Sequence, residues 1–163
     1  MRLLISGLCC LLLCAAEPAS AQSATPQDPR LPRIAFLKID VNDLDQAAAA
    51  YCSMLQMQDI GRISNKQAQV DEATLKFGDD VPGAKAGNHT GIVLVAKPGR
   101  KSLHGYPDRT PAAVLTVPDV AATVERGTKA GFTIVEPVKN AGGYTVASIA
   151  DISGNVIELI HLP

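Results

Sequence analysis

Asp151-Ile-Ser-Gly-Asn-Val-Ile-Glu-Leu159, close to the end of the chain, is the stretch from which the rest can be read. Its first half has the residues of a tight turn. Its second half is a strand of alternating character, with Ile157 and Leu159 on one face and Glu158 on the other. A carboxylate between strand-forming aliphatics points away from whatever they pack against, so Glu158 faces either solvent or a cavity.

A second feature is an internal repeat. Ile34-Ala-Phe-Leu-Lys-Ile-Asp-Val-Asn-Asp-Leu44 reads as a strand entering a helix, and Ala112-Ala-Val-Leu-Thr-Val-Pro-Asp-Val120 repeats the form. Val41 matches Val117 and Asp43 matches Asp119. Each Asp stands where its side chain can cap a helix and its charge suits the helix N-terminus; Gln46 makes a capping box with Asp43. Helical spacing places Ala47, Ala50, Tyr51, Met54 and Leu55 on the inner face of the first helix. It places Val120, Val124 and Thr128 on that of the second, which stops near Gly131. After each helix the pattern switches to strands, so the chain duplicates one β-α-β-β-β unit.

Two such units, with Tyr51-Cys-Ser-Met-Leu-Gln-Met57 at the first helix end and the closing motif above, resemble the glyoxalase/bleomycin-resistance/dioxygenase (vicinal oxygen chelate) superfamily. The resemblance runs from about Ile34 to Leu162, with modules at 34–97 and 112–162. It implies an α+β fold in which the paired modules form a half-open, eight-stranded curved sheet with helices on the outer face. It does not name a function, because lyases, isomerases, dioxygenases and drug-binding proteins share this scaffold. In such proteins the connector, here Lys97 to Pro111, lets modules pair within one chain or swap between two, and a homodimer stays open.

The N-terminus reads as a cleavable signal peptide. Arg2 precedes an apolar run from Leu3 to Ala16, and Ala19-Ser-Ala21 ends in small residues suited to cleavage between Ala21 and Gln22. The run is short for a membrane span. The product is then secreted or periplasmic, with residues 22–33 a Pro/Ser/Gln-rich flexible tether and residues 22–163 enough for one domain. Cleavage removes Cys9, Cys10 and Cys14 and leaves Cys52 alone, without an intrachain disulfide partner; it is expected as a buried apolar residue of the first helix. A formal net charge of −1 without a basic run offers no footprint for nucleic acid or an anionic membrane. The expected partner is a small molecule.

Strand parity sorts the faces. Leu37, Ile39 and Val41 pack on the helix, leaving Phe36, Lys38 and Asp40 toward the cleft. Ala112, Val114 and Thr116 face it from the fifth strand, His89, Gly91, Val93 and Val95 from the fourth, and Glu158, Ile160 and Leu162 from the last. Metal-dependent members of the resembled family place one His or Glu on each of these strands. Carried over, those positions are Phe36, Val93, Ala112 and Glu158, and only the last can donate to a cation. No metal or other cofactor is therefore expected. His89, His104 and His161 do not rebuild such a site.

What remains is a cleft expected to be largely apolar and dry, with Lys38, Asp40 and Glu158 as its ionisable groups and Tyr144 at its rim beyond the Gly142-Gly143 turn. If buried, Glu158 would have its pKa raised by desolvation and lowered by a nearby Lys38. A structural pair of Lys38 with Glu158 or Asp40 is the plainer alternative. Arg100, Lys101 and Arg109 in the connector are as readily solvated loop residues as anion contacts. Three functions follow: an exported, metal-free protein binding a small, partly apolar molecule; a metal-free lyase or isomerase using Glu158 for proton transfer; or a metal-dependent glyoxalase or dioxygenase. Whether the protein is an enzyme is left open.

Overall fold

Asp43 and Asp119 each end a strand and start a helix. The Asp43 carboxylate accepts the Gln46 N–H at 2.9 Å and that of Asp119 accepts the Ala122 N–H at 2.9 Å, satisfying amides the helices cannot. The computed structural model describes residues 34–99 and 110–163. The expected signal peptide, the tether, and connector residues Arg100, Lys101, His104 and Arg109 lie outside them.

The first module runs β1 (Phe36–Val41), α1 (Leu44–Leu55), β2 (Met57–Asn65), β3 (Val70–Phe77), α2 (Val81–Ala86) and β4 (Gly91–Ala96). The second runs β5 (Ala113–Thr116), α3 (Val120–Lys129), β6 (Thr133–Ala141), β7 (Tyr144–Ala150) and β8 (Val156–His161). They form two four-stranded mixed sheets, ordered β1-β4-β3-β2 and β5-β8-β7-β6, with β1/β4 and β5/β8 parallel and the remaining pairs antiparallel. Register shifts at Asp59/Gly61 and around Glu136 mark irregularities that bend β2 and β6. The fold is α+β, with the duplication visible element by element.

The structure adds to the sequence reading in three places. The helix α2 was not expected. Asp80 caps it through the Gly83 N–H at 2.7 Å, and Pro82 stands in its first turn, but six residues are too few to show a helical period. On α3 the residues facing the core are Val120, Thr123, Val124 and Gly127, and Thr128 is exposed. Seven residues beyond Val120 the helix has turned back to within ~20° of its starting face, whereas eight carry it ~80° away. Finally, β4 begins at Gly91, so His89 lies in an exposed loop rather than on the strand.

One core joins the modules. Tyr51 and Met54 of α1 are fully buried, and the Tyr51 ring meets Phe132 edge-on with centroids 5.2 Å apart, a contact worth roughly 0.5–1.5 kcal/mol beyond its area. Gly127 lets α3 approach α1, since a Cβ there would stand 3.1 Å from Met54 Sδ. The closing motif supplies the seal. Asp151 is 1 % exposed, and its carboxylate accepts hydrogen bonds from Tyr51 Oη (3.0 Å), Ser153 N (2.9 Å), Asn155 N (2.8 Å) and Asn155 Nδ2 (2.8 Å). Asn155 Nδ2 also donates to the Asp40 carbonyl, and Ser153 Oγ accepts the Asn42 N–H. The turn between β7 and β8 is thus fastened to the end of β1 and to α1.

Candidate functional site

The face of each sheet turned from the helices carries the expected site residues. In the second module Glu158 stands on β8 between Val114 of β5 and Ser148 of β7. The next row is Thr116, Ile160 and Val146. Ala112 donates its N–H to the Val156 carbonyl, one step before Val114. Glu158 is half-buried and Ser148 buried, and among the described residues no hydrogen bond or ion pair engages the Glu158 carboxylate. Gly142 and Gly143, both at positive φ (59° and 90°), close the β6–β7 hairpin as a two-residue turn that favours glycine. Tyr144 follows it on the same face as Glu158, four residues before Ser148, or ~13 Å along β7.

In the first module, β1 and β4 bring Phe36 beside Gly91, Lys38 beside Val93 and Asp40 beside Val95. Lys38 Nζ reaches Glu72 Oε1 at 2.8 Å. Because Val95 is the cross-strand neighbour of Glu72, this ion pair runs diagonally over β4, where Val93 and Val95 are each 5 % exposed. Lys38 is therefore engaged by Glu72 rather than by Glu158 or Asp40. The alternation of Ala73 and Leu75 with Glu72, Thr74 and Lys76 in β3 was the signal that could have revealed this partner.

The expectation of a dry cleft does not hold. Phe36 is 45 % and Val114 59 % exposed, and Ala112 is also exposed, so Glu158 stands on an open face. Cys52 is half-buried rather than buried; burial and the nearby Asp59 raise its pKa, against a smaller lowering by Arg62. His161 Nδ1 lies 3.1 Å from the Val117 carbonyl, a contact between the ends of β8 and β5. Among the described residues no three His, Cys, Asp or Glu side chains lie together as a metal-binding group would require. A cavity of about 1040 Å³ opens between the modules toward the helices, and of the residues expected to face the cleft it includes Gly91, Val114 and Thr116.

A family model described as "Glyoxalase/Bleomycin resistance protein/Dioxygenase superfamily" matches residues 30–159. The chain belongs to this superfamily. Among solved structures, a glyoxalase/bleomycin resistance protein/dioxygenase domain from Frankia sp. EAN1pec superposes with a TM-score of 0.62 at 18% identity, covering 82% of this chain and 99% of that one. Leishmania major glyoxalase I, described as trypanothione-dependent, gives 0.60 at 21% identity, covering 80% and 87%. Zea mays glyoxalase I gives 0.61 at 20% identity, covering 78% of this chain but 44% of the maize protein, less than half its length. At such identities the likeness establishes the fold alone. No curated protein is a significant match to the sequence.

The superfamily's metal-dependent members imply a divalent cation held by four side chains. Here the register keeps Val93 beside Lys38 and Glu158 beside Val114, corresponding points of the two modules, with Phe36 and Ala112 one step earlier on their strands. Phenyl and alkyl groups have no lone pair to offer, and Glu158 alone does not make a site. These residues do not fit the cation.

Proposed function

We propose that this superfamily member is exported and holds a small, partly apolar molecule against the sheet face carrying Glu158, without the metal its four-ligand relatives use. The reading rests on Phe36, Val93, Ala112 and Glu158, the residues at the positions that the resemblance assigns to the four ligands, three apolar groups and one carboxylate. Support for a ligand comes from Glu158 itself, half-buried and engaged by no described residue, beside the buried Ser148 and the exposed apolar surface of Val114. Export rests on the composition of residues 1–21. The test is metal analysis of dialysed protein offered zinc, nickel, manganese or iron, followed by native mass spectrometry of protein isolated from its own compartment. Well under one equivalent of metal and a retained small molecule are expected. Stoichiometric metal that is lost in Glu158→Gln would overturn the reading and support a metal-dependent glyoxalase or dioxygenase.

A second reading rests on the same unengaged carboxylate. Glu158 could move a proton next to a bound carbonyl, as a metal-free lyase or isomerase would require. Glu158→Gln would then keep the retained molecule but lose turnover, whereas loss of retention itself points to binding.

A further inference from the structure

The duplication gives the module junction two ends that ought to match, and they do not. The relation that takes Asp43 to Asp119 also takes Tyr51 to Gly127 and Gln56 to Phe132. At one end, Tyr51 and Phe132 fill the space between the modules and the short turn from Asp151 to Asn155 closes it. At the other end the corresponding positions are Gly127 and Gln56, so neither ring is present. In place of the short turn stands the longer connection between β3 and β4 that carries α2. A cavity of about 1040 Å³ lies at this end, bounded by Gln56, Gly78 and Asp79 of the first module and by Thr123 and Arg126 of the second.

Its wall mixes apolar side chains, Leu37, Leu55, Ile92, Leu115 and Val117, with polar ones, Gln58, Thr90 and Thr116 among them, and one cation is set into it. Arg126 is half-buried; its Nε donates to the Met54 carbonyl at 3.0 Å and its Nη2 to Thr123 Oγ1 at 2.9 Å. Those bonds fix the guanidinium plane while leaving Nη1 outside both. Among the described residues no carboxylate lies within ion-pair distance of Arg126. Asp79, the acid that also borders the cavity, is exposed, and the backbone carbonyls of Gly78 and Asp79 accept from Gln58 Nε2. A half-buried cation fixed by neutral acceptors, beside the apolar part of a cavity of ligand-sized volume, is complementary to an anion with an apolar body.

We propose that this unsealed end is a second binding site, reaching the Glu158 face only at the β5 edge through Val114 and Thr116, for a small organic acid whose anionic group meets Arg126 and whose hydrocarbon part lies along Leu37, Ile92 and Leu115. The site's single thiol, Cys52, also lines the cavity and reports occupancy independently.

The probes are 8-anilinonaphthalene-1-sulfonate, read by fluorescence, and decanoate against its uncharged counterpart decanol. The protein is expected to bind the sulfonate and release it to decanoate at least tenfold more readily than to decanol. Arg126→Met should weaken the sulfonate and decanoate tenfold or more, about 1.4 kcal/mol. Lys129→Gln, removing an exposed charge from the same helix, should change neither. Decanoate, but not decanol, should slow N-ethylmaleimide labelling of the Cys52 peptide, read by mass spectrometry. Unchanged affinity in a folded Arg126→Met protein, or equal competition by acid and alcohol, would overturn the proposal. Should Arg126→Met fail to fold, the Cys52 protection measured on the unaltered chain decides, and its absence refutes the site.

Discussion

Tyr51→Phe isolates one bond of the seal between the modules. The substitution keeps the ring, and with it the edge-on contact to Phe132, and removes only the hydroxyl that donates to Asp151 Oδ2 at 3.0 Å. Tyr51 is fully buried and Asp151 1 % exposed, so water cannot readily replace the donor. Asp151 Oδ1 keeps its two backbone amides, while Oδ2 is left with Asn155 Nδ2 alone. Losing a donor to a buried carboxylate costs roughly 1.5–3 kcal/mol. At about 3–4 °C per kcal/mol for a fold of this size, the melting temperature should fall by about 5–12 °C. Tyr144→Phe, whose ring is exposed, should stay within about 0.5 kcal/mol. Asp151→Asn should cost at least as much as Tyr51→Phe, because an amide NH₂ placed among four donors leaves at least one facing another. Thermal melts and urea titrations of the three variants make the comparison. A Tyr51→Phe protein melting within about 1 °C of its parent would refute the claim that this bond seals the junction.

Further expectations concern single groups. Burial, and then the charge and hydrogen bond of Asp151, raise the Tyr51 pKa well above its ordinary 10.0, so the folded chain keeps a proton that the unfolded chain releases. The resulting stabilisation is complete below pH 10.0 and is lost as pH rises through the folded value; Tyr51→Phe should flatten this alkaline limb in urea titrations, and an unchanged limb would contradict the assignment. Cys52, raised from 9.0, should alkylate with iodoacetamide at pH 7.5 more slowly than free cysteine; equal rates would count against a shielded thiol. Lys38→Met breaks an ion pair whose lysine is 62% exposed, so its stability should change by no more than about 1 kcal/mol, and a loss of more than about 2 in a urea melt would show that the pair is structural. N-terminal sequencing of the exported product should begin at Gln22, and an intact Met1 would remove the export proposal.

Much of the architecture was legible because it rests on local rules. A capping Asp at 43 and 119, two helical periods and alternating strands each report on a few neighbouring residues. The features that sequence left hidden depend on residues far apart. Glu72 meets Lys38 only because β4 lies between β3 and β1, and a strand order is not written in either segment. Parity puts Glu158 on the same face as Val114, and β8 pairs the two, but parity gives the face and not its depth, so the cleft expected to be dry is an open surface. The Asp151 motif is a signature in the sequence, but what it does depends on distant residues. Its partners Tyr51, Asp40 and Asn42 come from the opposite module. The unequal ends of the module junction are written in the repeat, Tyr51 against Gly127 and Gln56 against Phe132, but the cavity beside Arg126 depends on how the modules pack.

The seal described at Asp151 also bears on how many chains make a complete unit. Three of its bonds, from Tyr51 Oη to Asp151, from Asn155 Nδ2 to the Asp40 carbonyl and from the Asn42 N–H to Ser153 Oγ, join the first module to the second, and a swapped dimer would form the same bonds with the modules drawn from two copies. Weakening it through Tyr51 therefore lowers both arrangements alike and does not choose between them. The choice falls to tethering. A short connector presents the second module to the first at an effective concentration on the order of millimolar, so intramolecular pairing prevails when the protein is more dilute than that. Shortening the segment between Gly99 and Thr110 until it cannot span the modules removes this advantage, and the same interface then assembles between copies.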